Sequence, residues 1–201
     1  MSRVCGRGGP GVAAVRVAGG TGEELDDWRR TMDVNFWAAV LAEHAFLPRM
    51  IDAGRPAMIV NTGSKQGITN PPGNLAYNTA KAAVEHFTEG LHDELRNTDG
   101  CRVTAHLLVP GWPTTQSREH QPRAWLPGQV RDYMLEAIDR GDFYILCPAD
   151  DVPPEMERQR MRGGAGEITE NAGPLLPGDR ADDIGSDTSE GDAGAQAPDA
   201  A

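Results

Sequence analysis

The segment AMIVNTGSKQGITNPPGNLAYNTAKAAVEHFTEGLHDEL, residues 57–95, decides the fold class of this 201-residue chain. Its first part, Ala57–Thr62, is a short apolar run with β-branched residues, which is typical of an inner parallel strand. A loop rich in Gly, Pro and Asn follows, and from residue 76 to about 98 apolar residues recur at helical spacing. A strand, a loop and a long helix in this order indicate one unit of an α/β fold.

The sequence on both sides continues this alternation. Upstream, Asp26 or Asp27 is expected to cap a helix that ends near Gly54, and its wide apolar surface predicts burial on two sides. Downstream, we expect a strand, a helix and a second strand over residues 101–110, 127–141 and 143–146. The chain is therefore predicted to form an α/β fold with a parallel sheet.

Three polar side chains are expected at one edge of this sheet. Tyr77 and Lys81 lie four residues apart, so they share one face of a helix, and the ammonium can favour the phenolate. Ser64 follows the end of a strand, where ligands bind in parallel α/β sheets. A tyrosine packed on a helix surface and a turn or cap serine are the alternative interpretations. Together the three groups predict a carbonyl-reducing site.

Four segments, VNFW, IVNTGS, AYNTAK and LLVPGW, resemble in order and spacing the second half of a short-chain dehydrogenase/reductase. That family has a serine thirteen residues before Tyr-x-x-x-Lys, as Ser64 stands before Tyr77, and an asparagine in the preceding helix, matched by Asn35. The resemblance implies that Tyr77 is the general acid/base and that Ser64 polarises the substrate carbonyl. Lys81 would bind the nicotinamide ribose and lower the Tyr77 pKa. Asn35 would hold a relay water where the helix is locally deformed, although it also fits a hydrogen-bonded core residue.

The same resemblance implies NAD or NADP as cofactor and hydride transfer between nicotinamide and an alcohol or ketone. The implied cofactor-binding residues are Asn61, Thr62, Tyr77, Lys81, Pro110, Gly111 and either Thr114 or Thr115. Pro113 departs from the family pattern, because proline removes one backbone donor from the turn.

The N-terminal segment, residues 1–22, does not match the first half of the family. Family members begin with a strand, a glycine loop of the form T-G-x-x-x-G-x-G and two more strands. Gly6, Gly8 and Gly11 match G-x-G-x-x-G in letters only, because too few residues precede them for a strand. Residues 12–19 fit better as a remnant of a later strand. The resemblance therefore implies a partial Rossmann-like, doubly wound parallel sheet that lacks the first strands and has an open edge.

The C-terminal segment, residues 163–201, holds nine acidic residues and one arginine, in a chain of net charge −11. Its Gly, Ala and Pro content and its lack of periodicity predict a disordered acidic tail. Residues 23–162 would then form the catalytic portion of the Rossmann-like domain. Both ends have the composition of GC-rich DNA read in another frame, so we hypothesise a truncated or frame-altered family member. Comparing the three reading frames of the gene tests this hypothesis.

Composition excludes several other classes of protein. The acidic chain disfavours nucleic acid and anionic membrane as partners, and no apolar run reaches the roughly 18 residues of a membrane span. Cys5, Cys101 and Cys147 are far apart and lack metal-ligand spacing, so no metal site is expected.

The prediction is a cytoplasmic oxidoreductase that forms homo-oligomers through the Asn35 and Tyr77 helices. The alternatives are a catalytically silent fragment that binds partners as family dimers do, and an interaction protein that uses its acidic tail.

Overall fold

The structure is a computed structural model that describes residues 25–111, 113–114, 124–148 and 154–171 of the chain. Three strands and six α-helices alternate within these ranges. In chain order they are α1 Leu25–Met32, a π-helical turn Asp33–Trp37, α2 Ala38–Asp52, β1 Ala57–Thr62, α3 Lys65–Thr69, α4 Leu75–Arg96, β2 Val103–Val109, α5 Pro127–Arg140, β3 Tyr144–Leu146 and α6 Pro154–Thr169. The predicted α/β class is confirmed.

The three strands form one parallel sheet in the order β1-β2-β3. The register pairs Ala57 with Val103 and Thr62 with Leu108, so the two strands end at the same level. Just beyond β1, the Gly63 amide donates to the Leu108 carbonyl at 2.8 Å. Because all strands run in one direction, their carboxyl ends form a single edge of the sheet.

Helices cover both faces of the sheet. The side chains of β2 alternate: Leu107 packs with Val84 of α4, whereas Leu108 packs with Ala137 of α5 and Ile145 of β3. This alternation follows from the two-residue period of a strand, which sends neighbouring side chains to opposite faces. The doubly wound arrangement predicted from the sequence is therefore confirmed for the described strands.

The first long helix differs from the prediction in its burial. It runs from Leu25 to Asp52 as α1, the π-helical turn and α2, and one side of it packs near the core. Three apolar side chains on it nevertheless face solvent: Trp37 is 48% exposed, Phe46 53% and Leu41 64%. The expectation of burial on two sides is wrong for the part of the chain that the structure describes, because these side chains have no second layer to pack against there. Such a group of exposed apolar residues is typical of an interaction surface.

The C-terminal helix α6 extends past the predicted domain boundary. It covers residues 163–169, which the composition had assigned to the disordered tail. The preceding residues 155–162, EMERQRMR, are good helix formers, and Arg158 and Glu155 form an ion pair at 2.9 Å one turn apart. The helix that contains these residues continues through the glycines that follow them. The predictions for residues 1–22, for Thr115 and for residues 172–201 lie outside the described residues.

No helix among the described residues is both long enough and apolar enough to cross a membrane. Within the same ranges, no cluster of three His, Cys, Asp or Glu side chains is placed to hold a metal ion.

Candidate active site

Ser64 lies directly beyond β1, at the carboxyl edge of the sheet, and is the N-cap residue of α3. Its hydroxyl oxygen accepts a hydrogen bond from the Gln66 amide at 3.2 Å. The same hydroxyl lies near enough to the Tyr77 phenol to stabilise the phenolate. A serine hydroxyl has one proton and two lone pairs, so it can accept from Gln66 and donate to Tyr77 at once. The cap role of Ser64 is therefore compatible with its predicted role at an active site.

Tyr77 and Lys81 stand one turn apart near the start of α4. The Lys81 ammonium lies 5.6 Å from the centre of the Tyr77 ring. It donates a hydrogen bond to the Thr62 carbonyl, at the end of β1, with an Nζ–O distance of 3.0 Å. The lysine is 9% exposed, so its charge lies close to the sheet edge and away from bulk water. The structure thus brings Ser64, Tyr77 and Lys81 together where β1 ends.

Burial shifts the pKa values of both titratable groups. It lowers the pKa of Lys81 to about 8, because a desolvated ammonium loses its proton more readily. Burial also raises the pKa of Tyr77, and the hydrogen bond from Ser64 lowers it by less. Burial sets the direction of the net shift, and the lowering of the Tyr77 pKa by Lys81 stays a prediction. The ammonium is bound to the Thr62 carbonyl, and desolvation of the phenol outweighs the stabilisation of the phenolate.

Removing the Ser64 hydroxyl is expected to raise the pKa of Tyr77 further. Ser64→Ala deletes the hydrogen bond that stabilises the phenolate and leaves the burial of the phenol in place. The measurement is an NMR titration of tyrosine labelled at the ring carbon that bears the hydroxyl. The spectrum of Tyr77→Phe assigns the signal. An unchanged or lower pKa in Ser64→Ala would show that the two hydroxyls are not in contact.

Asn35 lies in the π-helical turn Asp33–Trp37. Its side-chain amide donates to the Thr31 carbonyl at 3.0 Å. Among the hydrogen bonds of the described residues, Asn35 makes none with Ser64, Tyr77 or Lys81. The turn is joined to α4 through Phe36, whose ring meets that of Phe87 edge-on at 6.2 Å. The helix is therefore deformed at Asn35, as the relay interpretation requires, while the role of its side chain stays a prediction.

Asn61 and Thr62, the two predicted cofactor-binding residues at the end of β1, have side chains in different surroundings. The Asn61 side chain donates to the Thr88 hydroxyl of α4 at 3.0 Å, so it joins the strand to the helix beneath the edge. The Thr62 side chain is exposed at the edge, and its carbonyl accepts from Lys81. The Thr62 side chain is therefore accessible to a ligand, whereas the side-chain amide of Asn61 already makes a hydrogen bond within the protein.

The Pro110-Gly111 turn ends β2 at the same edge. A Cβ atom on Gly111 would lie 2.8 Å from the Pro148 carbonyl oxygen, so glycine is required for the turn to pack against the chain beyond β3. Further along, the Thr114 amide donates to the Trp125 carbonyl at 2.8 Å. This contact holds the two described ends of the 112–126 loop side by side.

Two residues that support the site were not found from the sequence. Gly67 of α3 lies so close to α4 that a Cβ atom there would be 2.7 Å from the Lys81 carbonyl carbon and 2.8 Å from the Ala82 nitrogen. Asn78 is buried beside Tyr77, and its amide donates to the Asn70 side chain at 3.2 Å and to the Pro71 carbonyl. Neither residue has a distinctive spacing. Their roles depend on how α3 and its loop lie on α4.

Comparison with known proteins decides the family. The model of the short chain dehydrogenase family matches residues 12–124, more than half of the chain. The chain belongs to the short-chain dehydrogenase family.

Curated proteins named as a reductase and as a dehydrogenase are similar to part of this chain. Sulfoacetaldehyde reductase 2 of Chromohalobacter salexigens is 40% identical over 93 residues, which are 46% of this chain and 36% of that protein. 1-deoxy-11-beta-hydroxypentalenate dehydrogenase of Streptomyces avermitilis is 36% identical over 134 residues, which cover 63% of this chain and 48% of that protein. The chain therefore spans less than half the length of these curated relatives.

Solved short-chain dehydrogenases share the fold. An enzyme of this family from Burkholderia phymatum, crystallised in complex with NAD, superposes with a TM-score of 0.65 at 26% identity, covering 82% of this chain and 67% of that one. A short chain dehydrogenase from Burkholderia cenocepacia, crystallised in complex with NADP, gives a TM-score of 0.58 at 23% identity, covering 74% and 58%. The second likeness shows the fold alone.

Proposed function

We propose that this chain is an NAD(P)-dependent oxidoreductase that interconverts an alcohol and a carbonyl compound, with Tyr77 as general acid/base. One observation carries the proposal: Ser64, Tyr77 and Lys81 meet at the end of β1, where Ser64 stabilises the Tyr77 phenolate and the Lys81 ammonium lies 5.6 Å from the Tyr77 ring. Membership of the short-chain dehydrogenase family supports it, as do relatives named as a reductase and a dehydrogenase.

The residues at the edge fit a nicotinamide cofactor. An ammonium has three donors, and among the described residues Lys81 gives one, to the Thr62 carbonyl. A nearly buried ammonium with unused donors suits the neighbouring hydroxyls of a ribose. When bound, the cofactor supplies or accepts the hydride. The solved short-chain dehydrogenase/reductase in complex with NAD supports a nicotinamide cofactor.

The proton chemistry follows from the arrangement of the side chains. Because Ser64 accepts from the Gln66 amide, its own proton can point at the Tyr77 oxygen, and the phenol proton can then point at a substrate oxygen. In reduction, Tyr77 gives this proton to the carbonyl oxygen as the carbonyl carbon becomes an alcohol carbon. The raised pKa of Tyr77 keeps the phenol protonated at neutral pH, ready for this step. The phenolate that remains is stabilised by Ser64 and by Lys81 until it regains a proton from solvent. Asn35 would hold a water of that return path.

Cofactor binding tests this proposal without knowledge of the substrate. Titration calorimetry of the full chain with NADH and with NADPH should show saturable binding of at least one of them. Lys81→Met should weaken the binding, because it removes the donors at the end of β1. Circular dichroism should confirm that the variant is folded. If neither cofactor binds at millimolar concentration, the oxidoreductase proposal is wrong.

A second candidate function, partner binding without catalysis, is favoured by the exposed apolar side chains Trp37, Leu41 and Phe46. We propose that this surface and α4 form a homodimer interface. Leu41→Glu should convert a dimer to a monomer in analytical ultracentrifugation, because it places a charge among apolar side chains. The matched control is Leu25→Glu, since both leucines are 64% exposed and Leu25 lies at the first residue of α1. A wild-type monomer, or a dimer that survives Leu41→Glu, would contradict this interface.

A further inference from the structure

Asn78 follows Tyr77 in α4 and is almost completely buried, with 2% of its surface exposed. Its side-chain amide donates two hydrogen bonds, one to the Asn70 side chain at 3.2 Å and one to the Pro71 carbonyl. The orientation of the amide is fixed by chemistry, because the Pro71 carbonyl can only accept a hydrogen bond. Both donors of the Asn78 side chain therefore bind the segment that leads from α3 into α4.

The side-chain oxygen of Asn78 is buried and has no hydrogen-bond partner among the described residues. An unpaired buried acceptor costs free energy, and a leucine of similar shape would avoid that cost. Packing alone would therefore favour an apolar residue at this position. The asparagine is explained by the two hydrogen bonds that its amide donates.

The residues that Asn78 binds are linked to Ser64 through α3. Ser64 caps this helix by accepting from the Gln66 amide, and the Gln66 carbonyl accepts from the Asn70 amide at 3.1 Å. Since α3 has only five residues, its two ends move together. The two prolines that follow Asn70 have no N–H group and cannot donate to α4. The attachment of this segment to α4 therefore depends on acceptor groups such as those that Asn78 binds.

We propose that Asn78 is a positioning residue that holds Ser64 against Tyr77. This proposal rests on the proposed function, in which both hydroxyls meet the substrate oxygen. Asn78 acts through residues 70–71 and α3, and not on the substrate. Because its hydrogen bonds are made next to Tyr77 in the chain, they fix the place of α3 relative to the phenol. Without them, α3 and Ser64 are free to move away from α4.

Asn78→Leu keeps the shape of the side chain and removes both donors. It should lower kcat for carbonyl reduction by about 10- to 100-fold, because a small misplacement of a catalytic group has effects of that size. The Tm should change little, since the substitution also removes the unpaired acceptor. The cofactor affinity should change by less than about twofold. A fall in kcat at an unchanged Tm separates positioning from a role in stability alone.

Asn97→Leu is the matched control. Asn97 lies at the other end of α4, where its side-chain amide donates to the Asp93 carbonyl at 2.8 Å. This variant also loses an asparagine hydrogen bond of α4, and it leaves the link to α3 in place. Its kcat should equal that of wild type within about twofold.

Asn70→Gly is a milder variant that serves if Asn78→Leu does not fold. It removes one of the two acceptors that Asn78 binds, and glycine tolerates the left-handed φ of 45° at this position. Its kcat should lie between those of wild type and Asn78→Leu. A wild-type kcat in Asn78→Leu, or in Asn70→Gly where the first variant is unfolded, overturns the proposal.

A double-mutant cycle tests the position of Ser64 without substrate or cofactor. Ser64→Ala is expected to raise the pKa of Tyr77, which NMR of the labelled tyrosine measures in the full chain. In the Asn78→Leu background this rise should be smaller, because Ser64 no longer lies against the phenol. In the Asn97→Leu background the rise should keep its full size. An equal rise in both backgrounds, or no rise in any, overturns the proposal.

The failure of this proposal differs from the failure of the proposed function. If the chain binds no cofactor and the rise shrinks only in the Asn78→Leu background, the role of Asn78 stands and the oxidoreductase function is wrong. If the chain reduces an aldehyde and the rise is equal in both backgrounds, the oxidoreductase function stands and the role of Asn78 is wrong.

Discussion

Tyr77→Phe is expected to lower kcat for carbonyl reduction by about a hundred- to ten-thousandfold, the range contributed by a positioned general acid or base. The substitution keeps the aromatic ring beside Lys81, 5.6 Å from its ammonium, and removes only the hydroxyl that lies near Ser64. The cofactor affinity and the fold should therefore change little. Steady-state kinetics measure the effect, and calorimetry with the cofactor separates loss of chemistry from loss of binding.

The matched control for this substitution is Tyr144→Phe. The Tyr144 hydroxyl donates to the Glu89 carboxylate on α4, so this variant also loses one tyrosine hydrogen bond. Tyr144 belongs to β3 and is 46% exposed, and in the described part of the chain it has no hydrogen bond with Ser64 or Lys81. Its kcat should equal that of wild type within about twofold, as for ordinary surface substitutions. If Tyr77→Phe keeps more than a tenth of wild-type activity, Tyr77 is not the general acid.

Gly67→Ala is expected to lower the free energy of unfolding by about 1–3 kcal/mol, the usual effect of adding a methyl group where there is no room. The new Cβ atom would lie 2.7 Å from the Lys81 carbonyl carbon and 2.8 Å from the Ala82 nitrogen. These are backbone atoms of a helix and cannot rotate away, so α3 must move off α4. Ser64 caps α3 and would move with it, away from Tyr77. We therefore expect kcat to fall as well. Urea unfolding and steady-state kinetics measure the two effects.

Gly90→Ala is the control for a glycine-to-alanine change in a helix. Gly90 lies within α4, and a Cβ atom there would have no neighbour within 4 Å. Alanine should raise the free energy of unfolding by about 0.5–1 kcal/mol, because it restricts the unfolded chain and favours helix. If Gly67→Ala and Gly90→Ala stabilise the chain alike, α3 does not lie against Lys81 as the structure shows.

The sequence predicted the strands and the long helices up to α5 well, because the strands are short apolar runs and the helices have a clear hydrophobic period; the helix α6 was not predicted. The apolar run Ala57–Thr62 forms β1 with the predicted bounds, and α4 differs from its predicted bounds by one or two residues. The short helix α3 was predicted as a loop, since its five residues include a glycine and are followed by Pro-Pro-Gly. Its ends are made by contacts rather than by composition: Ser64 caps one end, and Asn70 adopts the left-handed conformation at the other, with φ of 45°.

The sequence predicted the part of the candidate site that follows from the spacing of residues along the chain. The four-residue spacing of Tyr77 and Lys81 places both on one face of α4, and the position of Ser64 after β1 brings it to the same edge. Their catalytic roles stay predictions. The direction of the Tyr77 pKa shift and the engagement of Asn61 with Thr88 could not be predicted, because both depend on burial and on side-chain direction within the fold.

The most direct test of the central proposal is deuteride transfer from NADH or NADPH that is deuterated at the nicotinamide C4 position. The purified full chain is incubated with the labelled cofactor and an aldehyde, and the alcohol product is analysed by mass spectrometry. We predict that the product carries one deuterium at the former carbonyl carbon and that Tyr77→Phe greatly slows its formation. If no deuterated alcohol forms while the cofactor is bound, the chain is not an oxidoreductase.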